Sequence, residues 1–447
     1  MTLAGGIRAR KLAAAVRERA AAYAGASERA AREAIQLETL NREWARNLRD
    51  VPYYAEARQR LDLPSSFGSL EEFLDRVPPA NREAVQRHGS EMTSRAHPSE
   101  WVRMSGGSTA QPVRLPAWHS ELEHTALDMW LARSWYGIRP DSRLFQIWGH
   151  SHLLGTGWRG RVNAVKRQIA DRLLGYHRFS AYDMRPDVLR QAGDALLAHR
   201  PDYMIGYSVA LHQFARANRD RAEPFRAAGL RVVIGTAEGF PGDAARDAVA
   251  RLFGCPVSME YGAVETGVMA HEHPDGGYRA MWRSFLLEAE RTGDGRHLLR
   301  VTTLHPRCFP LVRYEIGDEI ELDEPDRARE HSIARFRRVA GRCNDYLEID
   351  GAMIHSEAFA HAVRPCPAVT GFQIVQGPAG ARLRYTADAA LDETATNGIR
   401  ERLRRIHPAL GPLPFERVER LPQTVAGKTR MVVVEDDPDP NRAELES

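Results

Sequence analysis

Short apolar runs that alternate with helical stretches fill the sequence between about residues 100 and 340. One such run, RVVIG at 231–235, is followed by a short turn and by the helical stretch 243–254. Strand, turn and helix in that order are typical of a buried sheet that is covered by helices. This alternation predicts an α/β protein with layered sheets.

The first part of the chain has the pattern of a helical extension, which we place at residues 1–50. Pro52 ends the pattern. We expect the extension to pack on the main domain, although a helix that binds a partner protein has the same pattern. The apolar side chains that recur at steps of three and four, and so share one helix face, are Leu37, Leu40, Trp44 and Leu48.

The chain from about residue 341 onward has a different pattern. Short strand patterns surround one helical stretch near 392–406, which is typical of a small α+β domain. The last residues, 436–447, are acidic and contain proline, so we expect a flexible tail. We therefore predict two domains, 1–341 and 342–447.

Composition and charge exclude several classes of protein. No apolar run reaches the length of about 18 residues that a membrane-spanning helix needs, and the N-terminus lacks the apolar core of a signal peptide. We therefore expect a cytoplasmic protein. The four cysteines contain no C-x-x-C pair, which argues against a disulfide framework and a cysteine-rich zinc site. The net charge of +3 does not indicate a protein that binds nucleic acid.

The loop SGGSTAQP at 105–112 has the composition of a phosphate-binding loop. Its two adjacent glycines allow the backbone to approach a ligand closely, and its hydroxyls and backbone N–H groups suit phosphate oxygens. It lacks the spacing and the lysine of a Walker loop. On its own, such a loop is more often a simple turn.

Five more motifs follow along the chain. GTAEG at 235–239 comes directly after an apolar run, so its backbone is expected at the carboxyl edge of the sheet, where α/β proteins bind ligands. Its glycines lack the spacing of a dinucleotide-binding fingerprint. The other motifs are EYGAVE at 260–265, RYEIGD at 313–318, GRCND at 341–345 and LPQTVAGK at 421–428.

Taken in order, these motifs resemble those of the adenylate-forming superfamily of acyl-CoA synthetases and adenylation domains, most closely its phenylacetate-CoA ligase and CapK-like branch. The resemblance covers about residues 50–435. It implies a large N-terminal domain with layered sheets and helices and a small mobile α+β C-terminal domain. It also implies an enzyme, an AMP-forming carboxylate ligase that uses ATP and Mg²⁺.

The resemblance implies three catalytic residues. Lys428 would bridge the carboxylate of the acid and the α-phosphate of ATP, Glu265 would bind Mg²⁺, and Thr109 with Ser108 would hold the terminal phosphates. A cation and a metal ion there would neutralise the charge that forms when two anions react. Only three of the 62 basic residues are lysines, so a lysine at 428 is modest independent support.

The remaining implied contacts are to the nucleotide. Tyr261 would stack on adenine, Asp318 with Arg342 would bind the ribose hydroxyls, and the backbone of 235–238 would border the base. Without the resemblance, Asp318 is equally a turn residue, Tyr261 a core aromatic and Glu265 a helix N-terminal acid. The complete predicted set for ATP and AMP is Ser105, Gly107, Ser108, Thr109, Gly235, Ala237, Glu238, Tyr261, Gly262, Asp318 and Arg342.

Two positions depart from the family pattern. Ala110 replaces the second glycine of the phosphate loop, and the predicted hinge has Asn344, followed by Asp345, where the family usually has Asp or Lys. We expect transfer of the acyl group to coenzyme A. The departures keep open an acceptor that is an amine, a carrier-protein thiol or a small nitrogen nucleophile. A binding protein without catalysis is disfavoured because the implied acids and the lysine are all present.

Three residues are candidates for the acid-binding pocket, namely Trp148, His150 and Tyr207. His150 lies where members of the family place residues near the acyl pocket. A pocket edged by aromatic rings suggests an aryl acid or a similar planar acid.

The sequence His271-Glu272-His273 contains residue types that bind metal ions. A pair of histidines in a loop is more often solvated or packed against other side chains. No third ligand follows from the spacing, so both interpretations stay open at the level of sequence.

Overall fold

The computed structural model describes residues 3–26, 28–104, 114–148, 157–181, 184–240, 243–291, 297–324, 328–339, 346–350, 352–363, 365–366, 368–369, 371–377, 380–421 and 431–434. The helices in these residues are α1 Leu3–Ala24, α2 Arg29–Asp50, α3 Pro52–Leu61, α4 Leu70–Arg76, α5 Arg82–His88, α6 His119–Ser134, α7 Gly157–Leu174, α8 Pro186–His199, α9 Ser208–Ala217, α10 Ala222–Ala227, α11 Asp243–Phe253, α12 Ser356–Val363 and α13 Glu393–Ile406. None of these helices is both long enough and apolar enough to cross a membrane.

The strands are, in chain order, β1 Trp101–Met104, β2 Arg114–Ala117, β3 Leu144–Trp148, β4 Tyr176–Ser180, β5 Tyr203–Tyr207, β6 Val232–Thr236, β7 Val257–Ala263, β8 Gly267–Glu272, β9 Tyr278–Ala280, β10 Phe285–Arg291, β11 His297–Thr303, β12 Tyr314–Glu321, β13 Arg329–His331, β14 Arg335–Phe336, β15 Arg338–Val339, β16 Tyr346–Ile349, β17 Ala352–His355, β18 Gly371–Gly377, β19 Gly380–Thr386, β20 Phe415–Arg417 and β21 Val432–Val434.

The largest sheet has eight strands in the order β14-β9-β8-β7-β6-β5-β3-β4. Strands β3 to β7 run parallel, whereas β8, β9 and β14 pair antiparallel. All residues of β5 and β6 are buried, as expected for parallel strands covered on both faces. The strand predicted at 231–235 and the helix predicted at 243–254 correspond to β6 and α11, so the α/β pattern is confirmed.

A second sheet has five antiparallel strands in the order β13-β10-β11-β12-β15. The pairing of β11 with β12 contains a register shift between Leu298 and Arg300. Opposite this irregularity, Gly317 has a φ of +80°, a left-handed conformation that glycine adopts without a Cβ penalty. The sheet and this glycine set the position of Asp318 within β12.

The N-terminal extension forms two helices instead of the single helix that the pattern predicts. The chain leaves α1 after Ala24, where Gly25 is a poor helix former, and α2 begins at Arg29. As expected, the extension packs on the main part of the chain. Arg19 of α1 donates two hydrogen bonds to the buried carboxylate of Asp128, at 2.7 and 2.9 Å. Leu40 and Trp44 of α2 are buried in the core that also contains residues of both sheets.

The C-terminal part has a separate hydrophobic core, whose buried members lie between 347 and 432. Its four-stranded sheet has the order β20-β19-β18-β21, and β21 pairs parallel with the central strand β18. There, the Ile374 N–H donates to the carbonyl oxygen of Met431 at 2.7 Å. The helix predicted near 392–406 is α13. The domain boundary at 341 and 342 stays a prediction, because residues 340–345 lie outside the described part of the chain.

Candidate active site

The carboxyl ends of parallel strands meet along one edge of the eight-stranded sheet. Trp148 ends β3, Tyr207 ends β5 and Thr236 ends β6, while β7 continues beyond its pairing with β6 to Ala263. In sheets of this kind, ligands bind beyond the carboxyl ends of the strands. Several predicted site segments therefore lie along the edge that this fold makes available to a ligand.

The segment that follows β6 is held against the beginning of α9. The Ser208 hydroxyl donates a hydrogen bond to the carbonyl oxygen of Glu238 (2.8 Å), and the Val209 N–H donates to Glu238 Oε1 (3.3 Å). A carboxylate beside the first turn of a helix also interacts favourably with the helix dipole. Ala237 has a φ of +69°, a strained conformation for a residue with a Cβ atom. These contacts hold the backbone of 235–238 in a defined shape at the edge of the sheet.

Gly235 leaves no room for a side chain. A Cβ atom added there would lie 2.7 Å from Met259 Sδ, 2.7 Å from Ser208 Oγ and 2.9 Å from Phe240 Cε2. The Ser208 hydroxyl is the same group that holds the carbonyl of Glu238. The glycine is therefore required by close packing behind the segment that is predicted to border the base.

Tyr261 and Asp318 lie in different sheets and 57 positions apart in the chain, yet they are in direct contact. The Tyr261 hydroxyl donates a hydrogen bond to Asp318 Oδ2 at 3.1 Å, and both residues are buried. Because the hydroxyl donates to one carboxylate oxygen, it orients the carboxylate. The fold thus brings together two residues of the predicted nucleotide site.

The ring of Tyr261 belongs to the main hydrophobic core. It makes edge contacts with Tyr278 and Phe336, with ring centroids 6.5 and 6.3 Å apart. This packing fits the core-aromatic interpretation that the sequence also allowed. Stacking of adenine on Tyr261 stays a prediction, whereas the contact of its hydroxyl with Asp318 is a structural feature.

Glu265 lies in the tight turn between β7 and β8 and is half-buried. The turn is closed by the Thr266 hydroxyl, which accepts a hydrogen bond from the Ala263 N–H at 3.2 Å. A Cβ atom on Gly262 would collide with the carbonyl oxygen of Gly267, so the close pairing of the two strands requires glycine there. The carbonyl oxygen of Glu265 accepts a hydrogen bond from Arg307 Nη2 at 2.6 Å. The backbone of this turn is therefore fixed from both sides.

A magnesium ion fits the donor set at this turn. Mg²⁺ prefers oxygen ligands and is often held by one or two carboxylates together with phosphate oxygens of a substrate. Glu265 supplies one such carboxylate. In the described part of the chain, no three His, Cys, Asp or Glu side chains are grouped to hold a metal ion by themselves.

The two described candidates for the acid pocket are in contact. The rings of Trp148 and Tyr207 have centroids 4.9 Å apart and are tilted by 46°. Trp148 ends β3, and Tyr207 directly precedes Ser208, which holds the segment after β6. The pair therefore lies at the same edge of the sheet as the predicted base-binding segment.

Several predicted residues lie outside the described part of the chain. They belong to the phosphate loop between β1 and β2, to the acid pocket, to the GRCND motif at 341–345 and to the C-terminal motif. These residues are Ser105, Gly107, Ser108, Thr109, Ala110, His150, Arg342, Asn344, Asp345 and Lys428. Their roles stay predictions.

His271 is a packed side chain in β8. It is fully buried, its Nδ1 lies 2.9 Å from the carbonyl oxygen of Glu272, and its ring stands edge-on to Trp135 at 6.1 Å. Burial lowers the pKa of His271 below its usual range. His273 instead lies beside the carboxylate of Asp275, at 3.3 Å. This geometry fits the packed interpretation and gives no support to a metal site formed by the two histidines.

Sequence reasoning missed two contacts that hold the predicted site segments in place. They are the hydrogen bonds of Ser208 with Glu238 and of Arg307 with Glu265. Each joins residues that are distant in the chain, so no local pattern marks the pair. A signal was available for Ser208, since it follows an apolar run in the same way as the predicted residues after β6.

The fold is similar to that of solved structures of 2-hydroxyisobutyryl-CoA ligase. A complex of that ligase with 2-HIB-AMP and CoA in the thioesterification state has a TM-score of 0.60 and 18% sequence identity, with 94% of both chains covered. A complex with R3-HIB-AMP in the postadenylation state has a TM-score of 0.54 and 17% identity, over 92% of this chain and 91% of the ligase. The chain has the fold of this CoA ligase. The predicted fold class is therefore confirmed.

Sequence comparison adds a second similarity. The chain is 27% identical over 171 residues to protein CapK of Staphylococcus aureus, which corresponds to 38% of this chain. The match spans 37% of the length of CapK. No family model matches the chain. The similarity to CapK and the fold shared with the CoA ligase agree with the resemblance that the motifs indicate.

Proposed function

We propose that the protein activates a carboxylic acid with ATP, forming an acyl-adenylate and releasing pyrophosphate. The observation that carries this proposal is the hydrogen bond between Tyr261 and Asp318, which joins two predicted nucleotide-binding motifs from different sheets. The adenylate-forming fold supports it, because structures with this fold hold an acyl-AMP.

In the first half-reaction, a carboxylate oxygen of the acid attacks the α-phosphorus of ATP, and the bond to pyrophosphate breaks. Asp318, oriented by Tyr261, would accept hydrogen bonds from the ribose hydroxyls. The backbone of 235–238 would border the base, and Ser108 and Thr109 would hold the terminal phosphates. Lys428 would lie between the two reacting anions, where a positive charge lowers the barrier most.

Glu265 would bind the magnesium ion. When bound, Mg²⁺ neutralises phosphate charge that develops in the transition state. The chain holds the backbone of this turn by the hydrogen bond from Arg307 and by the closure through Thr266. These contacts hold the backbone from which the Glu265 side chain projects.

In the second half-reaction, we propose that the thiol of coenzyme A attacks the acyl carbon and AMP leaves. Support comes from the similar ligase structures that contain CoA. The aromatic pair Trp148 and Tyr207 favours an aryl or similar planar acid. Ala110 and Asn344 favour the second candidate, in which an amine, a carrier-protein thiol or a small nitrogen nucleophile accepts the acyl group.

The predicted small domain is part of the proposal. Residues 342–447 would move about the hinge at Asn344 and Asp345 between the two half-reactions, withdrawing Lys428 after adenylation. The cytoplasmic location expected from the sequence is likewise part of the proposal.

Acid-dependent exchange of labelled pyrophosphate into ATP tests the first half-reaction. Purified protein is assayed with MgATP and a panel of aryl, planar and aliphatic acids, and each acid is compared with a reaction that lacks acid. Exchange with at least one acid is expected, and exchange with none of the acids would contradict the proposal. Mass spectrometry of the products with and without coenzyme A then separates the two candidate acceptors.

Gly235→Ala is expected to weaken nucleotide binding by about ten-fold and to lower the free energy of unfolding by about 1–3 kcal/mol. The added Cβ atom would force the Ser208 hydroxyl away from the carbonyl of Glu238 and so displace the segment that borders the base. Isothermal titration calorimetry with MgATP and thermal unfolding measure the two effects.

Gly239→Ala is the matched control, because a Cβ atom at Gly239 meets nothing within 4 Å. It is expected to bind MgATP with the affinity of the unmodified protein. Equal affinities in the two variants would show that the packing behind Gly235 does not shape the nucleotide site.

A further inference from the structure

Ala237 has a backbone conformation that residues with a side chain rarely adopt. Its φ of +69° lies in the left-handed region, where the Cβ atom of an L-amino acid comes too close to the backbone. Glycine adopts this conformation without that penalty, yet the chain has alanine at this position. Ala237 is also exposed, so burial of its own side chain does not explain the conformation. A strained conformation of this kind persists only where the neighbouring residues impose it.

The residue before Ala237 is fixed by the sheet. Thr236 is buried and pairs with Tyr207 of β5 on one side and with Glu260 of β7 on the other. Pairing with a strand on each side leaves the backbone of Thr236 little freedom. Ala237 is therefore the first residue beyond a firmly held strand end.

The residue after Ala237 is fixed by the first turn of α9. The Ser208 hydroxyl donates to the carbonyl oxygen of Glu238 at 2.8 Å, and the Val209 N–H donates to Glu238 Oε1 at 3.3 Å. Ser208 is 0% exposed and Glu238 is 6% exposed, so water competes little for these hydrogen bonds. Glu238 is thus held both through its backbone and through its side chain.

The carboxylate of Glu238 takes the place of a helix cap. The first N–H groups of a helix have no partner within the helix, and a short polar side chain at the N-cap position commonly accepts a hydrogen bond from one of them. The N-cap residue of α9 is Tyr207, whose ring instead contacts Trp148. Glu238 supplies the acceptor, and its negative charge interacts favourably with the N-terminus of the helix. The bond therefore stabilises the helix as well as the segment after β6.

We propose that Glu238 is a positioning residue, whose carboxylate keeps Ala237 in the left-handed conformation and so presets the backbone that borders the base. With a fixed residue on each side, the dihedral angles of Ala237 are set by its neighbours. The inference rests on the proposed function, since it assumes that residues 235–238 border the adenine. A preset backbone removes the need for the nucleotide to impose the strained conformation when it binds. Glu238 would therefore act on the nucleotide through Ala237.

Isothermal titration calorimetry with MgATP tests the inference in a double-mutant cycle. Glu238→Ala is expected to weaken binding by about ten-fold, because Ala237 relaxes in the free protein and the nucleotide has to restore its strained conformation. In the Ala237→Gly background, Glu238→Ala is expected to weaken binding by no more than about three-fold, since glycine is not strained there. Loss of a helix cap alone would weaken binding by the same factor in both backgrounds.

Three further variants make the cycle specific. Glu238→Gln keeps an oxygen that can accept from the Val209 N–H, so it is expected to retain most of the affinity. Asp392→Ala removes a carboxylate that caps another helix, since Asp392 accepts a hydrogen bond from the Ala395 N–H at 2.7 Å, and it is expected to leave MgATP binding unchanged. Ser208→Ala removes the other hydrogen bond to Glu238 and replaces Glu238→Ala in the cycle if that variant does not fold.

The conformation of Ala237 can also be followed by NMR without nucleotide. In protein with ¹³C-labelled alanine methyl groups, Ala237→Gly removes one methyl resonance and so identifies the resonance of Ala237. This resonance is expected to move in Glu238→Ala and to stay nearly in place in Glu238→Gln. The measurement reports on the backbone of Ala237 and does not depend on catalysis.

The outcomes separate this inference from the proposed function. Equal weakening in the two backgrounds, or an unmoved Ala237 resonance in Glu238→Ala, overturns the inference alone. Failure of the unmodified protein to bind MgATP overturns the proposed function together with the role of Glu238 in nucleotide binding. The Ala237 resonance then still decides whether Glu238 holds the left-handed conformation. Normal MgATP binding without acid-dependent pyrophosphate exchange contradicts the proposed catalysis and leaves the cycle measurable.

Discussion

Lys428→Arg is expected to slow acid-dependent pyrophosphate exchange by about 100-fold to 1,000-fold, while MgATP still binds with nearly normal affinity. The reaction brings a carboxylate and the α-phosphate together, and their repulsion is greatest in the transition state. A lysine ammonium is compact and sits on a flexible stem, whereas a guanidinium is planar and larger. Arginine would therefore keep the charge but misplace it. Exchange kinetics measure the first effect, and calorimetry measures the second.

Lys166→Arg is the matched control for this experiment. Lys166 is an exposed residue of α7 with no proposed role, so the same substitution there is expected to leave exchange unchanged. Near-normal exchange in Lys428→Arg would remove Lys428 from the proposed mechanism. Loss of ATP binding in that variant would instead point to a role in holding the nucleotide.

Asp318→Asn is expected to weaken MgATP binding by about ten-fold to 100-fold, because hydrogen bonds to a buried carboxylate are stronger than those to a neutral amide. The carboxylate is the predicted partner of the ribose hydroxyls, and Tyr261 donates to its Oδ2. Calorimetry with ATP, 2′-deoxy-ATP and 3′-deoxy-ATP locates the effect. The unmodified protein is expected to bind ATP more tightly than the deoxy analogue that lacks the ribose hydroxyl bound by Asp318. The Asp318→Asn variant is expected to lose that preference.

Two variants accompany this measurement. Tyr261→Phe leaves the carboxylate but removes the donor that orients it, so a smaller loss of about three-fold to ten-fold is expected. Asp220→Asn changes a carboxylate that pairs with Arg190 on the surface, and it is expected to have no effect. If Asp318→Asn keeps full discrimination between ATP and both deoxy analogues, the ribose role of Asp318 is wrong.

Local patterns in the sequence predicted elements whose apolar residues form a continuous run or one face of a helix. Strand β6 and helix α11 appear where the apolar run and the amphipathic stretch indicate them. The N-terminal extension was predicted as one helix, because we found no signal in the sequence that marks the break between α1 and α2 after Ala24. A glycine within a helical pattern weakens the helix, but packing decides whether it breaks.

The candidate site also contains features that local sequence patterns predict and contacts that they do not. The edge position of Gly235 follows from the apolar run of β6, in which it lies. The resemblance assigned Tyr261 and Asp318 to the nucleotide site, but nothing in the sequence predicted the hydrogen bond between them. The buried hydrogen bond from Arg307 to Glu121 has no counterpart in the sequence pattern, since the two residues lie 186 positions apart. Contacts between residues so far apart in the chain depend on how the sheets pack against each other.

The parallel pairing of β21 with β18 limits the freedom of the predicted catalytic lysine. Met431 is fixed to the central strand by the hydrogen bond from Ile374, and only three steps along the backbone separate it from Lys428. At about 3.8 Å per step, the Cα atom of Lys428 stays within about 11 Å of this anchor. A movement of Lys428 away from the nucleotide that exceeds this distance would therefore require the C-terminal sheet to move as well.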